Sequence, residues 1–191
     1  MTNYKLSDET KITPCGTVLH RVVATTTFTV ACGRTITEGA VGGWIEKESN
    51  LSGNAWVSDN ATVSGNARVS GNALVSENAW VCGDARVFGY AWVSGNAKVC
   101  DKALVCSNAK VFGEVQVCDN TQVYGYALVH GYAKVYDDAE VYGNAEVYGN
   151  AEVSGYAQVS GNAKVSGNAL VYDTARVYGD ARFFGNAVVD C

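Results

Sequence analysis

Val63-Ser64-Gly65-Asn66-Ala67-Arg68, followed at once by Val69-Ser70-Gly71-Asn72-Ala73-Leu74, decides the fold. The same six-residue phrase recurs from Ile45 to Val189 with no insertion and no deletion. Stepping by six, 25 consecutive positions carry Val, except Ile45, Leu51 and Phe183. Four residues after each stands a small residue. From Ala55 to Ala187 it is Ala in 21 of 23 cases, the exceptions being Val115 and Thr121. An internal period of this kind sets the architecture before any other feature is weighed.

Six fits neither an amphipathic helix nor a simple array of hairpins. Ala and the following Val are two residues apart, so they share one face of a short strand. Ala-x-Val is therefore a strand with Ala and Val inward and x outward. The intervening Ser-Gly-Asn turns a corner, where Gly and Asn tolerate left-handed backbone. Val and Ala then line a narrow, dry interior.

The rest of the composition bounds the function. The chain has 191 residues and a formal net charge of −5, which reads as one acidic, soluble protein. It has no polybasic run, so nucleic acid is not expected as a partner. No apolar stretch approaches ~20 residues, so no membrane span is expected. Met1-Thr2-Asn3-Tyr4-Lys5 lacks an apolar signal core. The 7 Cys contain no C-x-x-C pair and read as reduced thiols rather than a disulfide framework. A cytoplasmic location in a bacterial cell is expected.

The aliphatic residue followed four later by a small one resembles the bacterial hexapeptide repeat. That resemblance implies an all-β fold, a single-stranded left-handed parallel β-helix of triangular section with three hexads per coil. Handedness comes from the family alone, since it runs against the usual right-handed crossover. At 18 residues per coil the repeat makes about eight coils, a rod roughly 38 Å long. Residues 45–191 form this unit. Residues 1–44 are out of register. There Thr13-Pro14-Cys15-Gly16 reads as a turn and Val18-Leu19-His20-Arg21-Val22-Val23-Ala24 as a strand. They are expected to make a small N-terminal β cap over the first coil. Gly42-Gly43-Trp44-Ile45-Glu46, running on to Asn50-Leu51-Ser52, is similar to the junction of the YdcK-like proteins of bacteria and their phages. That resemblance implies no particular activity.

Residues 18 apart stack, so surface columns can be read directly. Asn60, Asn78 and Asn96 make one, which reads as a structural ladder. Cys82, Cys100 and Cys118 make another. Three thiols ~4.8 Å apart in a row do not close a tetrahedral site, so no metal is expected there. Within the hexapeptide family many members are acyltransferases with a His general base and an extruded loop, and others bind zinc through three His. His130 is the only His in the rod. With no extruded loop, C-terminal extension or His cluster, it reads as a surface residue. No catalytic residue, cofactor or metal is expected.

Two surface features exceed the background. Trp56, Leu74 and Trp92 stack on one face, with Trp80 on the next. They read either as a contact stripe or as side chains that merely cover their neighbours. Tyr124, Tyr126, Tyr132, Tyr136, Tyr142, Tyr148 and Tyr156 form a belt with Asp137, Asp138, Glu140, Glu146 and Glu152. The belt reads either as an interface or as a solubilising β surface. At the far end, Phe183, Phe184, Val188 and Val189 are expected to border an open strand edge. Two rods would then pair tail to tail as a homodimer. In the other reading, Phe183 plugs the core and the rod stays a monomer. The function expected is a non-enzymatic rigid scaffold or protein-binding module with a protein partner. The alternative is a phage- or prophage-encoded inhibitor of a host defence protein; a hexapeptide acyltransferase is disfavoured.

Overall fold

The repeat closes into coils because each corner turns the chain onto the next face without reversing it, so every strand meets its counterpart 18 residues away and pairs with it in parallel. A computed structural model of the chain describes residues 3–190. Met1, Thr2 and Cys191, the last position of the expected repeat unit, lie outside the described residues. The repeat forms a parallel β-solenoid of about eight turns with three sheets. The first sheet runs through Thr62–Val63, Trp80–Val81 and Lys98–Val99 to Val188–Val189. The second runs from Arg68–Val69 to Arg176–Val177, and the third from Trp56–Val57 to Arg182–Phe183. Trp80 pairs with Thr62 on one side and Lys98 on the other, an 18-residue register kept along the rod.

Each coil donates its strand N–H groups to the next. Trp80 N–H reaches Ala97 O at 2.9 Å, and Cys82 N–H reaches Val99 O at 2.9 Å. Inside, Val63, Val81, Val99 and their Ala partners are fully buried. Each coil thus removes three Val side chains from water, at roughly 1.5–3 kcal/mol apiece. Thr121, at an Ala position, is buried without penalty because its hydroxyl donates to Cys118 O at 2.7 Å.

The corners divide their labour differently from the sequence reading. The Gly position carries the left-handed backbone, as at Gly65 (φ 67°). The Asn position does not, and serves the ladder instead: Asn60 donates to Asn78 at 3.4 Å, and Asn78 to Asn96 at 3.2 Å. Where Asp or Glu replaces Gly, the left-handed strain is offset by a new bond. Asp137 (φ 61°) accepts Gly155 N–H at 2.9 Å, and Glu77 (φ 61°) accepts Gly95 N–H at 2.8 Å.

The N-terminal segment does more than sit on the end. Strands β1 (Tyr4–Ile12) and β2 (Val18–Ala24) form an antiparallel hairpin. Strands β3 (Phe28–Thr29) and β4 (Thr35–Ile36) form a second, smaller pair. Strand β5 (Val41–Ile45) pairs antiparallel with β2 and parallel with Thr62–Val63, so the hairpin extends the first sheet sideways. The Tyr4 hydroxyl reaches Leu51 O at 2.7 Å, closing the open edge of the first coil. Gly42 and Gly43 allow β5 to approach this closely. A Cβ on Gly42 would stand 2.5 Å from Val57 O, and one on Gly43 2.7 Å from Ala61 O.

Candidate functional site

Three corners separate the three sheets, and the belt is distributed over all of them. Tyr124, Tyr126 and Tyr142 stand between the second and third sheets. His130, Tyr132 and Tyr148 stand between the third and first. Tyr136 and Tyr156 stand between the first and second. A flat partner therefore meets one corner, or two adjoining ones, and not the whole belt.

At each corner an aromatic residue clasps a strand carboxylate 16 residues further on. The Tyr124 hydroxyl donates to Glu140 Oε2 at 3.2 Å. His130 Nε2 lies 3.1 Å from Glu146 Oε1. The Tyr136 hydroxyl donates to Glu152 Oε2 at 3.4 Å. The three clasps follow one another at six-residue steps because the hexad repeats its geometry. Partial burial pushes the Tyr124 phenol up to about 12, and the Glu140 charge and hydrogen bond add to the shift.

The corner aromatics also stack along the rod. Phe112 lies 5.0 Å from His130, which lies 5.0 Å from Tyr148, with rings tilted by 11° and 1°. Tyr124 and Tyr142 stack at 4.9 Å and 1°. Thus His130 is the middle of an aromatic sandwich with a carboxylate at its edge. Phe112 and Tyr148 are its neighbours in the column of residues 18 apart, and both stack on it. Offsets of 18 between residues that follow Val carry the signal.

Two cations complete the carboxylate clasps. Lys134 Nζ pairs with Glu152 at 2.9 Å, and Lys164 Nζ with Glu146. The Lys164 hydrogen bond holds the Glu146 carboxyl below its ordinary value of 4.5, against an opposing effect of burial, with His130 adding to it. A depressed carboxyl contributes stability that is present above pH ~4.5 and lost as pH falls through its folded value. Glu146→Gln is therefore expected to lose about 1 kcal/mol at pH 7 and nothing once the carboxyl is protonated. Urea midpoints of wild type and variant, measured from pH 7 down to pH ~3, should converge at the acid end. A gap that persists there would show that packing, not charge, holds Glu146.

The Trp56–Leu74–Trp92 stripe requires correction. Trp56 and Leu74 are each only 1% exposed, so they are not a contact surface. Phe28 packs edge-on against Trp56, ring centroids 5.8 Å apart, and Ala31 N–H donates to Asn72 O at 2.6 Å. The segment carrying β3 and β4 covers this face. Trp92 remains half-buried, its indole N–H on Ser76 Oγ at 3.1 Å and Lys110 over its ring at 5.9 Å.

The cysteine column also departs from expectation. Cys100 and Cys118 form a disulfide, not a pair of reduced thiols. Stacking itself makes this possible. Adjacent coils place the two Cα atoms 4.7 Å apart, within the span a disulfide bridges. Cys82, one coil before, keeps a free thiol whose pKa burial pushes up. Asp101 lies beside the bridge, its carboxylate within 4.8 Å of both sulfurs. While the sulfurs are bonded to each other, neither is a thiolate ligand.

At the far end, Phe184 and Val188 are exposed, and Phe183 and Val189 are half-buried against the core. No helix among the described residues is long and apolar enough to cross a membrane.

A family model, the YdcK beta solenoid repeat, matches residues 55–69, 67–83, 79–95 and 157–173. No curated protein matches the chain.

Proposed function

Proceeding from repeats and a solenoid that fit a hexapeptide-repeat, YdcK-like family, we propose that this chain is a non-enzymatic, rigid protein-binding module. The observation that carries the reading is the outermost layer of the tyrosine belt. Tyr126, Tyr132 and Tyr156 are 68%, 59% and 67% exposed, one at each corner of the same stretch of rod. Each occupies a position where most coils carry Asn or Asp in the amide ladder. These tyrosines therefore displace a stabilising contact and leave a large aromatic surface in water. Tyr is enriched where proteins meet and supplies contact area at low conformational cost. The backbone beneath each is pinned on a ladder, as at Tyr126 N–H to Gly143 O, 2.7 Å. Binding would thus order little that is not already ordered, and would concentrate in a few aromatic anchors.

The experiment is photo-cross-linking from each of the three positions in the native cell, followed by affinity measurement with the protein captured. Tyr126→Ser, Tyr132→Ser and Tyr156→Ser are expected to leave the circular dichroism unchanged. At least one should weaken the complex by about 2 kcal/mol, as an aromatic anchor does. Full affinity in the triple variant would overturn the reading.

A further inference from the structure

The corner between the first and second sheets holds an aromatic ladder with one rung missing. Its column reads Tyr136, Ser154, Tyr172. Elsewhere on the rod, corner aromatics on consecutive coils stack at 4.9–5.0 Å. Here the two rings are two coils apart, roughly 9.5 Å at the strand spacing. A cleft of about 260 Å³ lies between them, and both tyrosines line it. Ser154 and Gly155 leave the middle empty of bulk, and Leu170 gives it an apolar wall. A flat group inserted at the level of Ser154 would lie roughly 4.7 Å from each ring, the spacing of the filled ladders.

The charge around the cleft selects what kind of flat group enters. Asp137, Glu152 and Asp173 line it, and no Lys or Arg does among the described residues. Glu152 is already shared with Lys134 and Tyr136, and Asp137 with Gly155 N–H. Asp173 is exposed at the outer coil, with φ 56°. A neutral aromatic ring would stack but leave these carboxylates unused. An ammonium would meet the carboxylates but has no plane to fill the slot. A guanidinium does both: it is planar, always cationic, stacks on aromatic faces and donates to carboxylates from its edge.

We propose that the Tyr136–Ser154–Tyr172 cleft is a receptor slot for an arginine side chain presented by a partner protein. The guanidinium enters as the missing rung, sandwiched between the two phenol rings, with its N–H edge toward Asp173 and Glu152. The proposal rests on the protein-binding reading and deepens it, since it names a chemical feature the partner must carry. It uses side chains distinct from the exposed tyrosines on which that reading stands.

The full chain, labelled on its tyrosine rings, is titrated with a blocked Gly-Arg-Gly peptide and with its lysine counterpart, followed by nuclear magnetic resonance. The arginine peptide is expected to shift the Tyr136 and Tyr172 ring signals saturably. The lysine peptide should bind about tenfold more weakly, the worth of one strong stacked contact. Ser154→Tyr fills the rung as Tyr, His and Phe do elsewhere, and should abolish the response. Tyr172→Leu removes one wall at a partly exposed position and should weaken binding by a similar factor, which guards against misfolding of the first variant. Equal binding of the two peptides, or an unaltered response in a folded Ser154→Tyr protein, would sink the slot. So would silence of both rings at tens of millimolar peptide. The triple substitution of Tyr126, Tyr132 and Tyr156 should leave the peptide response intact. Failure of the peptide therefore refutes the slot alone, and failure of those three tyrosines refutes the wider reading.

Discussion

Trp56→Ala is expected to cost 3–5 kcal/mol, the range for truncating a large buried aromatic residue. Trp56 is 1% exposed, with Phe28 edge-on against it at 5.8 Å. Its ring also lies where a Cβ on Gly42 would stand, 2.6 Å from Cζ2. The side chain therefore fills the joint between the segment 28–36, strand β5 and the first coil. Removing it leaves a cavity that the rigid coil cannot collapse to fill. The loss should be local as well as large. Amide hydrogen exchange is expected to accelerate in Phe28–Ile36, while Val99 and Val141, inside the rod, stay protected. Stability within 1 kcal/mol of wild type would show that the N-terminal segment is held by its backbone pairing and not by this ring. The same substitution at Trp92, half-buried and facing outward, is the natural comparison and should cost far less.

Opening the Cys100–Cys118 bridge is expected to cost about 3 kcal/mol. The bridge closes a loop with a sequence separation of 18 residues, and the unfolded chain gains the corresponding freedom when it opens. For a chain of this length that is a drop of roughly 6–12 °C in melting temperature. The variant should be Cys100→Ser with Cys118→Ser. Replacing Cys118 alone leaves Cys100 beside Cys82, one coil before, where a new bridge can form by the same stacking geometry. The double variant is expected to melt where the wild type melts in reductant, and reductant should not move it further. Identical melting of the oxidised wild type and the double variant would show that the coil ladder alone holds this corner.

The six-residue spacing of Glu140, Glu146 and Glu152 puts one on each face, and the rod carries them on its second, third and first sheets in turn. Stacking of Tyr124 on Tyr142, and of His130 on Tyr148, follows from 18-residue columns, and so does the empty rung at Ser154. The clasps between belt members were not legible. Tyr124 reaches Glu140, and Tyr136 reaches Glu152, at an offset of 16. That offset joins a corner on one coil to a strand on the next, and it depends on how the ring leans. Lys164 beside Glu146 is an ordinary column neighbour, yet its hydrogen bond, more than burial or His130, sets the Glu146 carboxyl.

With three hexads per coil, and so the 18-residue columns, supplied by the resemblance to the hexapeptide repeat, the sequence by itself determined the six-residue register and the inward and outward faces. Each of these depends only on a local phrase repeated without error, so every coil meets a neighbour like itself. Only the tertiary structure decided that Trp56 and Leu74 are core and not surface, and that Cys100 and Cys118 are bonded. It alone placed the glycines, and not the asparagines, in the left-handed turn. The first of these depends on a segment outside the register folding back across a face. The second depends on side chains at successive corners pointing at one another, and the third on which backbone group the ladder must free. A period constrains where residues recur, but not what an aperiodic segment covers or which way a side chain turns within its column.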